Sequence, residues 1–502
     1  MLSSIEGRLS LLSRKGPQDT PLLAATADSR EVRAGSLFAA IDGSTLDGHR
    51  FIPQAVAQGA AAVLLNRWPD SWPEHVVGLQ VEDPRRSLAL VSSALSGDPG
   101  KQMQVVAITG TNGKTTTAAI LRSILGAAGK HVGVLGTTGI TWSGTRGEFS
   151  YEATHTTPDG PALYGWLRKM ADDGVEVVAL ELSSHALEQG RAAGLQLDVA
   201  AWSNLGRDHL DYHGDLASYE CAKALLLREW LPNWGSVGAC AVLNVDDPVV
   251  ASHRDDWSRV LRVSSKSGAV ARGDADLAPI GSPRMDLHGF HAELAFGEAQ
   301  FTLSSSMLGR HNLANCLLAA GCALAAGIEP AAIAEGCAMT RGASGRLERV
   351  ERDDGRGPLV LVDYAHSPDA LKEALLALSA LQPARIITLF GCGGDRDPGK
   401  RPLMAQAAAT GSDLVFLTSD NPRSEDPDQI LDAAEKGLVG STTPYKRISD
   451  RGEAIMSAIS EAGQGEVVLI AGKGHERHQE IHGVLHPFDD CEHARRALEQ
   501  WS

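Results

Sequence analysis

The 502-residue sequence has no apolar run of the roughly 20 residues that a membrane-spanning helix needs. Its longest, around Leu317 to Ile328, reads as a buried helix. The opening stretch MLSSIEGRLSLLSRKG lacks a long apolar segment and a small-residue cleavage site, so no signal peptide is expected. Cysteine is scarce: 7 residues, an odd count with no CxxC pair, argue against a disulfide framework and for a reducing cytoplasm. A basic excess is also missing. With 46 Lys and Arg against 62 Asp and Glu, the formal charge of −16 argues against nucleic acid and anionic membranes as partners. The guanine-reading NKxD pattern of switch GTPases does not occur. What remains is the composition of a globular protein, 43% hydrophobic and 22% charged, with length for about three domains.

The clearest positive signal is VVAITGTNGKTTT, Val105 to Thr117. Val105 to Ile108 reads as a short buried strand, Gly110 and Gly113 as a tight turn, and Thr115 to Leu125 as a helix. Such a turn aims backbone N–H groups and a helix N-terminus at an anion, while Lys114 reaches the β- and γ-phosphates and the Thr115 hydroxyl holds Mg²⁺. The pattern departs from GxxxxGK[ST] at Ile108, where a glycine is usual. A purine nucleoside triphosphate is the expected ligand.

Before this loop, Leu9, Leu11 and Leu12 suggest a helix, Ser36–Ile41 a strand, Ile52–Gln58 a helix and Ala61–Leu65 a strand. The small polar loops at Asp28-Ser29-Arg30 and Gly43-Ser44-Thr45 suit either a ligand or a simple turn. LSGDPGKQMQ, from Leu95, reads as a linker. After the loop, VEVVALE reads as a parallel strand buried on both faces and ending in Glu181. That acid is either a Mg²⁺-directed carboxylate at the ligand end of the sheet or a solvated strand end. His209 and His213 share one face of a helix, but two histidines do not make a zinc site. Lys223 opens an apolar helical run, where a lysine ordinarily snorkels to the surface. From about residue 345, four apolar strands end in Asp363 and His366, Asp395 and Arg396, Asp420 and Arg423, and Lys473 and Glu476, which reads as one wall of a site.

GTNGKTT, ELSSHALEQGR, NLGRDHLDYHG, YECAKALLL, GRHNLANCLLA, SGRLE, DYAHSPDAL, GCGGDRDPGKRP, TSDNPR and AGKGHE follow in that order. Together they resemble the Mur ligases of peptidoglycan synthesis over essentially the whole chain, and most of all the members that add diaminopimelate. The family loop lacks the earlier glycine, which accounts for Ile108. The resemblance implies three α/β domains. An N-terminal UDP-sugar-binding domain spans 1–100, a central P-loop-type ATPase domain with a parallel sheet spans 101–340, and a Rossmann-like domain for the added amino acid spans 341–502. It implies that ATP phosphorylates the D-glutamate side chain of a UDP-sugar dipeptide and that the incoming amine displaces phosphate.

Carried over residue by residue, Gly110, Thr111, Asn112, Gly113, Lys114, Thr115 and Thr116 hold ATP together with Asn312, Arg346 and Asp363. Thr115 takes one Mg²⁺. Glu181 and His209 resemble the ligands of a second, assisted by Lys223 as a carbamylated N6-carboxylysine. The UDP-sugar dipeptide falls to Ser29, Ser44, Thr45, Leu46, Thr156, Thr157, Ser183, Gln189 and Arg191. Meso-diaminopimelate falls to Arg396, Asp420, Asn421, Pro422, Arg423, Gly472 and Glu476. Lys114, Lys223 and His209 are the catalytic candidates, and a cytoplasmic monomer is expected. Folylpolyglutamate synthase shares the last two domains but has no UDP-binding N-terminal domain, and some 100 residues precede the loop here. A non-catalytic nucleotide-binding protein has no need of Lys114, Glu181, His209 and Lys223 together.

Overall fold

The computed structural model describes residues 2–43, 46–352 and 354–501. It divides into two compact units, Met1–Ser264 with Ala269–Ala278 and Leu317–Gly336, and Ser265–Gly268 with Pro279–Cys316 and Cys337–Ser502.

The first unit holds two sheets. The N-terminal one runs Leu11–Lys15, Val77–Val81, Ala62–Leu65, Ser36–Ala39, Ala24–Thr26, parallel except for its first strand. Leu11 and Leu12 therefore lie in a strand rather than the expected helix. The helix is Leu2–Glu6 instead, and a strand suits Leu11–Lys15 because alternate positions face the core beside Leu79 and Val81. The helix Ile52–Ala57 and the strand Ala62–Leu65 lie where the sequence placed them. LSGDPGKQMQ is not a free linker. Pro99 and Gly100 are buried in a 3₁₀ turn, and Asp98 takes both Arg8 guanidinium nitrogens at 2.5 and 2.8 Å.

The second sheet of this unit runs Val260–Val263, Gly235–Asn244, Leu197–Trp202, Gln104–Thr109, Val177–Glu181, Val132–Gly136, Gly139–Gly144, Gly147–Tyr151. The first six strands are parallel, and four of them, Leu197–Trp202, Gln104–Thr109, Val177–Glu181 and Val132–Gly136, are buried on both faces along nearly their whole length. Gln104–Thr109 is the first of them in the chain yet lies between the third and fourth, Val177–Glu181 and Leu197–Trp202. The order reverses there, so its carboxyl end is the crevice where open α/β sheets place ligands.

In the second unit, a sheet runs Glu348–Val350, Leu359–Asp363, Val467–Ala471, Ile386–Phe390, Leu414–Leu417, Tyr445–Arg447, parallel after its first strand. Apolar clusters cover both faces, one around Leu375, Met404 and Leu431 and the other around Ile455, Ile459 and Leu498. Three short antiparallel strands, Arg284–Asp286, Gly289–Phe296 and Ala299–Ser305, precede it. The run around Leu317 belongs to the helix Arg310–Ala325, and no described helix is long and apolar enough to cross a membrane. All seven cysteines are free.

Candidate active site

The strand Gln104–Thr109 delivers Gly110 at φ +142°, where a methyl group would sit 1.9 Å from Ser203 Oγ. Gly113 at φ +86° then opens the helix Lys114–Ala127 with no side chain capping its N-terminus. First-turn N–H groups without a cap suit an anion. The turn is braced from behind: Ser203 Oγ and Asn204 Nδ2 donate to Asn112 O at 2.6 and 3.0 Å, and Gly206 N donates to Thr111 Oγ1 at 2.8 Å. Lys114 Nζ donates to the carbonyls of Gly110 and Thr111. Thr116 is buried in the helix's first turn.

Glu181 is fully buried rather than solvated. Its carboxylate accepts from Thr115 Oγ1 at 2.9 Å and from Thr137 N and Oγ1, both at 3.1 Å. Burial raises its pKa, which Lys114 and these donors partly counter. Gly136 makes the approach possible, since a Cβ there would lie 1.9 Å from Glu181 Oε1. A buried carboxylate beside a threonine hydroxyl is a hard-oxygen donor set, and it fits Mg²⁺.

Lys223 is 1% exposed, not at the surface. The helix Leu216–Leu225 turns it inward, where Nζ donates to Gly110 O at 2.9 Å and lies 4.5 Å from the centre of the Tyr219 ring. Burial, then the charge of Lys114, lowers its pKa well below the ordinary lysine value. Tyr219 OH also receives the Thr111 hydroxyl at 3.3 Å, and burial pushes the phenol up to about 12.

His209 is the residue before the one-turn helix Leu210–His213, at φ +52°, with its side chain about half exposed. The sequence pairing of His209 with His213 missed a third ring. His185, from ELSSHALEQGR, has its centroid 4.9 Å from His209, 5.3 Å from His213 and 4.1 Å from Tyr212. Burial and the two neighbouring histidines lower His185 to about 4. Neither spacing nor periodicity links residue 185 to 209; only the sheet crossing brings them together.

Among the residues expected to hold the UDP-sugar dipeptide, Thr157 spends its hydroxyl on the backbone, donating to Glu181 O and accepting from Ser183 N. Ser183 caps the helix Ser184–Glu188. Thr156 Oγ1 lies 3.1 Å from Thr137 Oγ1. Gln189 Oε1 accepts from Arg191 and Arg85, and Arg191 also holds Thr157 O at 2.8 Å. Ser29 is buried and donates to Gln54 at 3.2 Å, while Leu46 is exposed. Ser44 and Thr45 lie outside the described residues.

In the second unit, Asp363 ends its strand buried and accepts from Leu347 N at 2.7 Å and Ala365 N at 2.8 Å, with burial raising its pKa. That grip holds Leu347 at φ +47°, a costly conformation for leucine, and sets its neighbour Arg346 over the Tyr364 ring at 5.0 Å. Asn312 is buried in its helix and bonded to Leu308 O. Asp420, Asn421 and Pro422 are buried beyond the strand Leu414–Leu417, and Arg396 is exposed. Arg423 at φ +53° donates from Nε to Glu480 Oε2 at 3.0 Å and from Nη1 to Gly394 O at 2.7 Å, so the turn fixes it in a pair instead of presenting it bare. Gly472 lies against the Asp420 carboxylate, and Glu476 accepts from Asn421 Nδ2 at 2.8 Å.

Comparison with known proteins shows the family. Three family models match: the Mur ligase family catalytic domain over 24–94, the Mur ligase middle domain over 108–323, and the Mur ligase glutamate ligase domain over 345–474. The UDP-N-acetylmuramoyl-L-alanyl-D-glutamate--2,6-diaminopimelate ligase of Geobacillus kaustophilus is 41% identical over 95% of each chain, and that of Ectopseudomonas mendocina 39% over the same shares. A solved structure of a ligase with that name is 34% identical, with a TM-score of 0.70 over 96% of this chain and 95% of its own. A MurF ligase from Thermotoga maritima in complex with ADP, 19% identical, shares the fold at a TM-score of 0.58 over 96% of this chain and 99% of its own. On the strength of the family models and of relatives about 40% identical over 95% of its length, the chain belongs to the Mur ligase family.

Proposed function

We propose that this chain is the ATP-dependent ligase that joins meso-2,6-diaminopimelate to UDP-N-acetylmuramoyl-L-alanyl-D-glutamate in peptidoglycan precursor synthesis. The observation that carries the reading is the identity of about 40% with ligases of that name over nearly the full length. The α/β architecture supports it, and the domains are assigned to 1–100, 101–340 and 341–502. The reaction is placed in the cytoplasm, where the nucleotide-linked precursor and ATP meet.

ATP sits with its phosphates on the uncapped helix start at Lys114, within the turn Gly110–Thr116. Asn312, Arg346 and Asp363 are assigned as nucleotide-binding residues. A substrate carboxylate then displaces ADP from the γ-phosphorus, giving an acyl phosphate. The amine of diaminopimelate attacks its carbonyl, loses a proton, and expels phosphate as the amide forms. The protein's work is positioning and charge neutralisation. Lys114 leaves the Gly110 and Thr111 carbonyls to offset the repulsion between carboxylate and triphosphate. Thr115 would hold one Mg²⁺, and Glu181 and His209, assisted by a carbamylated Lys223, would hold a second. Bound there, the metal supplies further neutralisation of phosphate charge. Ser29, Ser44, Thr45, Leu46, Thr156, Ser183, Gln189 and Arg191 orient the UDP-sugar dipeptide. Thr157 acts through the backbone of Glu181 and Ser183. Arg396, Asp420 to Arg423, Gly472 and Glu476 receive diaminopimelate.

Purified protein given ATP, the UDP-sugar dipeptide and a panel of amino acids tests this by mass detection of product. A product heavier by diaminopimelate less water, formed with stoichiometric ADP, is expected. ATP turnover indifferent to both other substrates overturns the reading.

A further inference from the structure

Within the proposed amino-acid pocket lies a cation that substrate cannot reach. Lys473 follows the strand Val467–Ala471, and its side chain is fully buried. Nζ donates to Asn421 Oδ1 at 3.0 Å and Glu476 Oε2 at 3.3 Å, and lies 3.9 Å from Asp420 Oδ1. Asn421 Nδ2 donates to the same Glu476 Oε2 at 2.8 Å. One oxygen of Glu476 is thus held by two donors while the side chain stays 27% exposed. Beneath this group, Arg451 is paired with Asp490 through two bonds of 2.7 Å and reaches Ala471 O at 3.1 Å and Ser419 O at 3.4 Å. That buried pair ties together the two strand ends that carry Lys473 and Asp420.

We propose that Lys473 is a positioning residue for amino-acid selection: it orients Glu476 through Oε2 and offsets one of the two carboxylate charges of Asp420 and Glu476. The proposal rests on the ligase reading above. The far end of diaminopimelate carries an ammonium and a carboxylate and is neutral overall, whereas that of L-lysine carries only the ammonium. Asp420, Glu476 and Lys473 together present one net negative charge, enough for an ammonium that brings its own carboxylate. Without Lys473 the same walls present two, and a bare ammonium gains most. Buried Lys473 therefore acts against lysine without touching it.

The test is the ratio of kcat/KM for meso-diaminopimelate to that for L-lysine, measured on the full chain with ATP and the UDP-sugar dipeptide. Lys473→Met keeps the volume and removes the charge. The ratio is expected to fall about tenfold or more, the scale of one charged hydrogen bond, with KM for ATP unchanged. General damage to the fold lowers both amino acids alike and leaves the ratio where it was. Asn421→Asp, with Lys473 intact, adds a negative charge at the same place and moves the ratio in the same direction, so a Lys473→Met chain that does not fold leaves this second arm to decide. An unchanged ratio in a folded variant of either kind overturns the proposal. An unmodified chain that ligates neither amino acid overturns the ligase reading itself, and this inference with it.

Discussion

The side-chain nitrogens of Lys114 and Lys223 both donate to the carbonyl oxygen of Gly110, at 2.8 and 2.9 Å. Burial, and then repulsion from the Lys114 ammonium on the same oxygen, holds the pKa of Lys223 well below the lysine norm. A neutral amine is the form that attacks carbon dioxide: in the proposed carbamylation the N–C bond would form, a proton would leave, and the residue would become an anionic carbamate. The repulsive pair with Lys114 then becomes an attractive one. Turnover is expected to fall after long incubation in carbon-dioxide-stripped buffer and to return with bicarbonate. Lys223→Ala should be inactive and partly restored by formate or acetate. Indifference to bicarbonate, together with normal turnover of Lys223→Ala, would remove the carbamate from the mechanism.

Gly136 tests Glu181 without changing any ionisable group. A methyl group at Gly136 meets Glu181 Oε1 at 1.9 Å, Cδ at 2.5 Å and Cγ at 2.9 Å, so the carboxylate must shift by about an ångström. Misplacement on that scale costs on the order of 100-fold in rate. Gly136→Ala should therefore lose turnover of that order, with the far-UV spectrum of the unmodified chain. Wild-type turnover would show that the placement of Glu181 is not what the reaction needs.

The sequence carried the parallel sheets, because strands buried on both faces are apolar throughout, and it carried the phosphate turn through Gly110, Gly113 and Lys114. It misread Leu11 and Leu12, where a strand packed against Val77–Val81 overrides local helix spacing. Lys223 looked like a surface lysine because helical spacing does not say which neighbour lies opposite. His185 was invisible as a partner of His209 and His213, since that cluster depends on a sheet crossing and not on spacing. Arg423 was legible as a turn residue, but its pairing with Glu480 depends on the hairpin of His478–Ile481 and Val484–Pro487.

Asp98 offers a pH test of the segment that looked like a linker. The Arg8 guanidinium, then Lys101 and Ser93, hold its carboxylate down at about 2 against the burial that opposes them. A depressed carboxylate stabilises the fold above its ordinary value of 3.8 and loses that stabilisation as pH falls from there through about 2. Because the Arg8 side chain is 38% exposed, solvent screening limits the pair to about 1 kcal/mol. Asp98→Asn, which tolerates the left-handed backbone at φ +49°, should lower the thermal midpoint at pH 7 and leave it unchanged near pH 2. An equal deficit at both pH values would assign the effect to packing.

Arg423 is proposed to read the far carboxylate of diaminopimelate. Its backbone N donates to Glu480 O at 3.0 Å and its carbonyl accepts from His482 N at 2.7 Å, so the turn is clamped with φ at +53°. Nε and Nη1 are committed to Glu480 and the Gly394 carbonyl, which fixes the plane of the guanidinium. A planar cation held in this way can offer its remaining N–H groups to a carboxylate with little loss of freedom. Truncation to alanine would keep the backbone strain and confuse the result, whereas Arg423→Gly removes the side chain and relaxes a positive φ together. KM for meso-diaminopimelate should rise about 10- to 150-fold in Arg423→Gly, the span of a charged hydrogen bond. KM for ATP should not move, and use of L-lysine should not fall. Arg423→Lys keeps the charge but cannot hold Glu480, Gly394 and a substrate carboxylate from one planar fork, so it should fail to restore the affinity. If Arg423→Lys binds diaminopimelate as the unmodified chain does, charge alone suffices and the fork plays no part in recognition.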